Sequence, residues 1–324
     1  PYGADVLRLW AASSDYTRDV VIGPKVIEKS SESLRKIRNT ARYVLGNLHD
    51  FDPSSMLTRR EDLSPIDRLF LHRTALFLNE TRDHYQDHHF RKVVDCLQSY
   101  VSNDLSSFYF EISKDTLYTS GKESKRRRSA QTTLHYALSA LLAVIGPIIP
   151  FTTEDVYQYR AIAVQQLQAE KRGEETGEQI KATSDKVFES VPGESAFRVL
   201  SWREHQQEQQ GEQDDKQEEH EDEHERMLTS SWCVMNTSDY LDASLEDAWL
   251  PVSQLREKVH YALEVARKEK KAVGSSLDAK VELVSSSWST AEISNEMSPQ
   301  LELEAFGGLA NIFVVSQVSF VDSS

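Results

Sequence analysis

The run from Arg128 to Pro150, RSAQTTLHYALSALLAVIGPIIP, restricts what this chain can fold into more than any other stretch. From Leu134 onward its apolar residues cover most faces of a helix, so a helix here has to be buried on nearly every side. Gly146-Pro147 ends it, and Pro150 delays the next helix until Thr152-Thr153, whose hydroxyls suit the cap of a short helix through Tyr157. The apolar run from Ala137 to Ile149 falls short of the ~18 residues of a membrane span and is interrupted, so its cover has to be protein. The chain reads as soluble.

The sequence supplies that cover as further helices. Leu34, Ile37, Ala41, Val44, Leu45 and Leu48 follow one face of a helix over Glu32–Leu48, while Arg35, Lys36, Arg38 and Arg42 take other positions, which gives the helix a basic side. Ser64-Pro65 opens a second helix with Ile66, Leu69, Phe70, Leu76 and Phe77 as its core face. A third begins near His88 and runs to Ile112, with a bend expected near Ser102-Asn103 or Ser106-Ser107. Four to five such helices make a bundle, and the fold class expected is mainly α. Beyond it, Val252, Leu255, Val259, Ala262, Leu263 and Ala266 mark a helix that starts at Leu250-Pro251 and ends in Arg267-Lys268, with Gly274 beyond. Ala279–Val284 and Asn311–Phe320 have the character of strands, so the tail reads as a small α/β module apart from the bundle.

Charge separates these regions. The formal net charge is -15, but residues 1–159 hold 21 Lys+Arg against 20 Asp+Glu, whereas residues 160–226 hold 9 against 18 and residues 227–324 hold 7 against 14. Residues 204–226, rich in Gln and Glu, cannot bury enough apolar surface to offset the entropy of ordering and read as a disordered or solvated insertion. Phe188, Val191, Phe197, Val199, Leu200 and Trp202 form a small apolar island within the acidic region. The acidity therefore leaves intact the basic loop Lys122, Lys125, Arg126, Arg127 and Arg128. Cations at a helix start oppose the helix dipole, so something other than helix stability favours them. A nucleic-acid backbone, an intramolecular acidic partner and a plain solvated loop all remain open readings.

Sequence motifs for catalysis are lacking. No G-x-x-x-x-G-K-[ST], G-x-G-x-x-G or G-x-S-x-G occurs, so no catalytic residue is assigned. His220–His224 spells HEDEH, but a catalytic zinc needs both imidazoles on one face of a buried helix, and this string sits in an acidic run without apolar periodicity. His84, His88 and His89 read as polar histidines near a helix start, since no carboxylate or cysteine arrangement completes a metal site around them. No metal is expected. Cys96 and Cys233 stand far apart without a CxxC partner, which fits a reducing compartment. Pro1-Tyr2-Gly3 leads directly into helix-like sequence, which reads as a cut inside a longer protein.

Several stretches, in order, carry a family resemblance. YGADVLRLWAASSDYTRDVVIG (Tyr2–Gly23) resembles the segment after the KMSKS loop of class I aminoacyl-tRNA synthetases, isoleucyl-tRNA synthetases in particular. SLRKIRNTARYVLGNLHDFD (Ser33–Asp52) is similar to the first helix of that family's anticodon-binding domain. FYFEISKDTLY (Phe108–Tyr118), RRRSAQTTL (Arg126–Leu134), PIIPFTTEDVY (Pro147–Tyr157) and ARKEKKAVGSSLDAKVEL (Ala266–Leu283) resemble its later signatures. The valyl and leucyl families share the domain and are the close alternatives.

The resemblance implies a stem-contact segment at 1–30, a helical anticodon-binding domain at 31–160, an acidic insertion at 161–248 and a C-terminal helix with a small α/β module at 249–324. It implies a monomer that binds tRNA(Ile), neither DNA nor membrane, with Arg38, Arg42, Lys122, Lys125, Arg126, Arg127 and Arg128 as phosphate or stem contacts. ATP and Mg belong to a catalytic domain that this chain does not include, so the chain alone is expected to be inactive. The bacterial and organellar branch fits best, which places the protein in the mitochondrial matrix, with the cytoplasm as the alternative. A non-catalytic helical interaction module, a truncated paralogue, is the reading from another class.

Overall fold

The computed structural model describes residues 2–20, 22–173, 235–268, 276, 279–285 and 309–322. The HEDEH string, the island from Phe188 to Trp202, Gly274 and Cys233 lie outside them. Described elements are mainly helical: α1 (Ala4–Ser13), α2 (Pro24–Asn47), α3 (Pro53–Met56), α4 (Pro65–Gln86), α5 (Phe90–Ser99), α6 (Phe110–Thr119), α7 (Lys125–Ile145), α8 (Pro150–Arg172), α9 (Thr237–Tyr240), α10 (Ala243–Lys268) and α11 (Leu309–Phe313), with strands β1 (Lys280–Ser285) and β2 (Gln317–Asp322). The mainly α class is as expected. None of the described helices is long and apolar enough to cross a membrane. The chain forms two compact units: residues 1–57, 77–102 and 131–236 make the first, and residues 58–76, 103–130 and 237–324 the second.

In the first unit, α2 starts where Gly23 precedes Pro24, because proline's fixed φ and missing N–H suit a first helical position. Its buried Ile27, Leu34, Ile37, Ala41 and Val44 form the stripe read from the sequence, extended by two turns at its start. Leu134, Ala137, Leu138, Leu141 and Ile145 of α7 are all buried, as an all-round apolar helix requires. Each fully buried Leu or Ile stabilises by about 1.5–3 kcal/mol relative to exposure.

The start of α8 is held from a distance. Its N-cap, Ile149, makes no side-chain cap. Instead the buried Asp5 carboxylate of α1 accepts from both the Thr152 backbone N–H and its hydroxyl, each at 2.7 Å. An anion at a helix N-terminus meets unpaired N–H groups and the positive dipole end. One turn further along α1, Arg8 donates to the carbonyls of Ile148 and Pro147, each at 2.8 Å, satisfying the turn after α7. The cap expected from Thr152-Thr153 is thus supplied by Asp5, while the Thr153 hydroxyl donates to Ile149 O at 3.0 Å.

Nor does α8 stop at Tyr157. It continues to Arg172 and ends on Gly173, whose φ of 71° places it in the left-handed region that glycine tolerates. The physical reason is Arg160. This buried side chain donates to Leu48 O at 3.0 Å and Phe51 O at 2.7 Å, closing the loop after α2. One turn before the helix ends, Gln168 lies near Asp52 (3.4 Å), and Lys171 reaches the same carboxylate at 2.9 Å. Burial opposes ionisation of Asp52, but hydrogen bonds from Ser54, Lys171 and Ser55 prevail and hold its carboxyl down to about 2.

The expected third helix is one continuous run. It begins at Phe90, passes through a π-helical stretch at Tyr100–Tyr109 in place of the expected bend, and continues into α6. Tyr100, Leu105 and Tyr109 along this stretch are each buried.

In the second unit, Asp67 is buried and accepts from the hydroxyls of Ser64, Ser129 and Tyr109 at 2.6, 2.5 and 2.5 Å. Burial pushes its carboxyl up, against the pull of those donors and of Arg126. Helix α10 starts at Ala243, capped by Asp242, which accepts from Ser244 N–H at 3.2 Å; this is two turns before the start expected at Leu250-Pro251. Pro251 lies inside the helix. Trp249 packs edge-on against Phe108, and Arg73 lies 4.8 Å from the same ring while pairing with Glu246 at 2.7 Å. Residues 237–324 fall in the same compact unit as residues 58–76 and 103–130.

Strands β1 and β2 pair in parallel, Lys280 opposite Gln317 through Ser285 opposite Asp322. The second strand starts later than expected because Leu309–Phe313 is helical. That helix closes on Val314 at φ 56°, with Val315 N–H donating to Ala310 O at 2.9 Å. A β-branched residue in the left-handed region is strained.

Candidate nucleic-acid interface

Arg35, Arg38 and Arg42 follow one another at spacings of three and four along α2, so they share a face turned away from the buried stripe. All three are exposed, and none forms an ion pair among the described residues. Arg38 and Arg42 line a groove of about 630 Å³ whose other wall is α8, with Asp155, Gln158 and Tyr159. A neighbouring groove of about 670 Å³ shares Arg38, Asn39, Thr152 and Asp155, and adds Arg35, Phe151 and Tyr2. On α8, Tyr159 is 70% and Phe151 65% exposed. Cations along one wall and open aromatic rings along the other are the two components of a single-stranded nucleic-acid platform, phosphates on the first and bases on the second.

The Asp5 cap fixes where α8 begins, and the Arg160 contacts tie it to the end of α2. Both therefore set the depth of this groove. Sequence reasoning picked out Arg38 and Arg42 here. It placed Arg35 on the same basic side without naming it as a contact, and it did not single out Phe151 and Tyr159, which no periodicity distinguishes from core aromatics.

The second cationic set belongs to the other unit, and the structure divides it. Lys122, Lys125 and Arg126 are exposed. Arg127 is buried and donates through Nε to Leu117 O at 3.2 Å, joining the start of α7 to the end of α6. Arg128 is half-buried and pairs with Glu123 at 3.3 Å. Arg127 is thus engaged within the fold, and Arg128 is paired with a neighbouring side chain. In the segment expected to contact the stem, Arg8 is likewise engaged with backbone carbonyls.

His84 has two further ligand-type side chains beside it, which the sequence reading did not bring together with it. Glu80, one turn earlier on α4, and Cys96 on α5 place ligand atoms within 4.8 Å of one another and of the imidazole. Burial first, then the Glu80 carboxylate, push the Cys96 thiol up to about 11.

Comparison with known proteins decides the family. Residues 67–283, more than half of the chain, match the family described as the anticodon-binding domain of tRNA ligase. The chain belongs to that family. Similarity extends beyond the matched residues to the N-terminal helices of this anticodon-binding domain. An isoleucine--tRNA ligase of Crocosphaera subtropica is 34% identical over 325 residues, covering 100% of this chain and 28% of the relative. The isoleucine--tRNA ligase of Kosmotoga olearia is 33% identical over 99% of the chain. A chloroplastic/mitochondrial isoleucine--tRNA ligase of Arabidopsis thaliana is 35% identical over 99% of the chain and 24% of its own length. The chain spans only 24–28% of the length of these two outer examples. The resemblance carried by the ordered stretches of sequence is borne out.

Proposed function

We propose that this chain is the tRNA-gripping portion of an isoleucine--tRNA ligase, and that the α2–α8 grooves receive the unpaired part of tRNA(Ile). The observation that carries the reading is the pairing of Arg35, Arg38 and Arg42 with the exposed rings of Phe151 and Tyr159. Bases of a single-stranded loop can be splayed out, stacked on the rings and read by their edges, while the guanidinium groups take the phosphates. ATP- and Mg-dependent aminoacylation then falls to residues outside this chain, with the chain acting as a monomer that fixes the tRNA for it. A mitochondrial location belongs to this reading, with the cytoplasm as the alternative; the chloroplastic/mitochondrial relative supports an organellar one.

Tyr159→Ala tests the stacking role. Removing one base platform costs about 1–3 kcal/mol, which corresponds to roughly 5- to 150-fold weaker binding of tRNA(Ile), while Tyr159→Phe retains affinity. Equal affinities for the two variants, or no tRNA binding by the parent chain at low salt, would overturn the assignment.

A further inference from the structure

The cluster of Glu80, His84 and Cys96 is not among the residues lining the α2–α8 grooves. Glu80 and His84 are four apart on α4 and so share a face, with Glu80 Oε1 3.8 Å from His84 Nε2. Cys96, half-buried on α5, completes the group, all three ligand atoms lying within 4.8 Å of one another. Ligands around a tetrahedral zinc at bond lengths of about 2.0–2.3 Å stand about 3.3–3.8 Å apart. The Glu80–His84 separation exceeds the ~3.3 Å of such a nitrogen–oxygen pair by only about 0.5 Å. The thiol has to approach by up to about 1.3 Å, and the Glu80 side chain is exposed.

The histidine is held in place independently of any ion. Helix α4 ends in a turn in which His89 N–H donates to His84 O at 2.8 Å and His88 N–H to Tyr85 O at 3.1 Å, with His88 at φ 59°. These are the two bonds of a Schellman ending, and the His89 ring meets that of His84 edge-on, 6.3 Å between centroids. One ligand is thus locked by a helix terminus, one lies a turn before it, and one comes from the facing helix.

We propose that Glu80, His84 and Cys96 form a three-ligand site for a borderline-soft divalent cation, Zn²⁺ fitting best, with solvent as the fourth ligand. A thiolate and an imidazole select zinc-like ions over Mg²⁺ or Ca²⁺, which prefer oxygen ligands. On binding, the thiol proton passes to solvent and the Sγ–metal bond replaces the S–H bond, so thiolate and carboxylate together offset the two positive charges. The ion would cross-link α4 to α5 within the first unit.

The test uses the full chain carrying His220→Ala and His224→Ala, so that the HEDEH string cannot bind the probe. Co²⁺ titration should show one equivalent with a thiolate-to-cobalt charge-transfer band, displaced by Zn²⁺ and unaffected by Mg²⁺. Loss of even an outer partner of a metal ligand costs about 10- to 100-fold in affinity, so Cys96→Ser and His84→Gln should each cost at least tenfold. Cys96→Ser should also abolish the charge-transfer band and the Zn²⁺-induced rise in Tm. Glu80→Gln, on the exposed side, checks the site with little risk to the fold, and circular dichroism confirms the helices of each variant. Absence of stoichiometric Co²⁺ binding overturns the proposal. So does binding that survives Cys96→Ser and His84→Gln unchanged, which would mean adventitious metal elsewhere.

Discussion

Replacing Arg35, Arg38 and Arg42 together by Gln separates phosphate contact from structural bracing. The three side chains are exposed, share one face of α2 and have no ion-pair partner among the described residues, so their loss leaves no acidic group stranded. If each neutralises one phosphate, the dependence of log K on log salt should flatten by about 0.7–0.9 per residue, or roughly 2.1–2.7 in all. Between ~50 and ~200 mM salt the parent chain should then lose roughly 20- to 40-fold more affinity than the triple variant. Fluorescence anisotropy of labelled tRNA(Ile) over that salt range measures it. The contrasting variant is Arg127→Gln. Its parent side chain is buried against Leu117 O, so it should lower stability by about 1–3 kcal/mol and leave the slope of the folded fraction unchanged. A triple variant with the parent's slope, or an Arg127 variant with a flatter one, would refute the division of these cations into contacts and braces.

Other perturbations test the supports of the groove. Asp5→Asn should cost about 1–2 kcal/mol in urea unfolding, because a charged acceptor at the start of α8 becomes neutral; an unchanged midpoint would rule out the cap. His88→Gly should raise Tm slightly, since the exposed His88 sits at φ 59° and a left-handed L-residue costs roughly 1–2 kcal/mol, partly offset by the freer unfolded chain. Burial, and secondarily the charge of Arg160, push the His135 imidazole down to about 3 from an ordinary 6.5. The depressed value means that the associated stability is present above about 6.5 and is lost as pH falls toward 3, with a slope approaching about 1.4 kcal/mol per pH unit. Chemical denaturation of His135→Gln across that range should show the parent's slope reduced.

What the sequence made legible were features with local causes. The stripe of α2 and the all-round apolar face of α7 follow from spacing alone, and both appear as read. What it hid depended on partners distant in the chain. The polar residues after Tyr159 look solvated until Arg160 finds the carbonyls of Leu48 and Phe51. The run Lys122–Arg128 gives five like charges with nothing to show that Arg127 turns inward. Cys96 looked solitary because Glu80 and His84 meet it only through the packing of α4 and α5. The groove was half legible: its cations follow a helical repeat, but exposed aromatics and buried ones look alike in one dimension.

The grip of α1 on α8 bears on where this family's domain can be cut. The family match opens at residue 67, inside α4. A fragment begun there would keep α8 but discard Asp5, Arg8, Leu48, Phe51 and Asp52. The first turn of α8 would lose its anion, and a buried guanidinium would lose both carbonyls. In such a fragment the helix bearing Tyr159 becomes an orphan. The smallest autonomous piece of this protein therefore has to include the opening helix, although that helix lies outside the boundaries by which the domain is recognised.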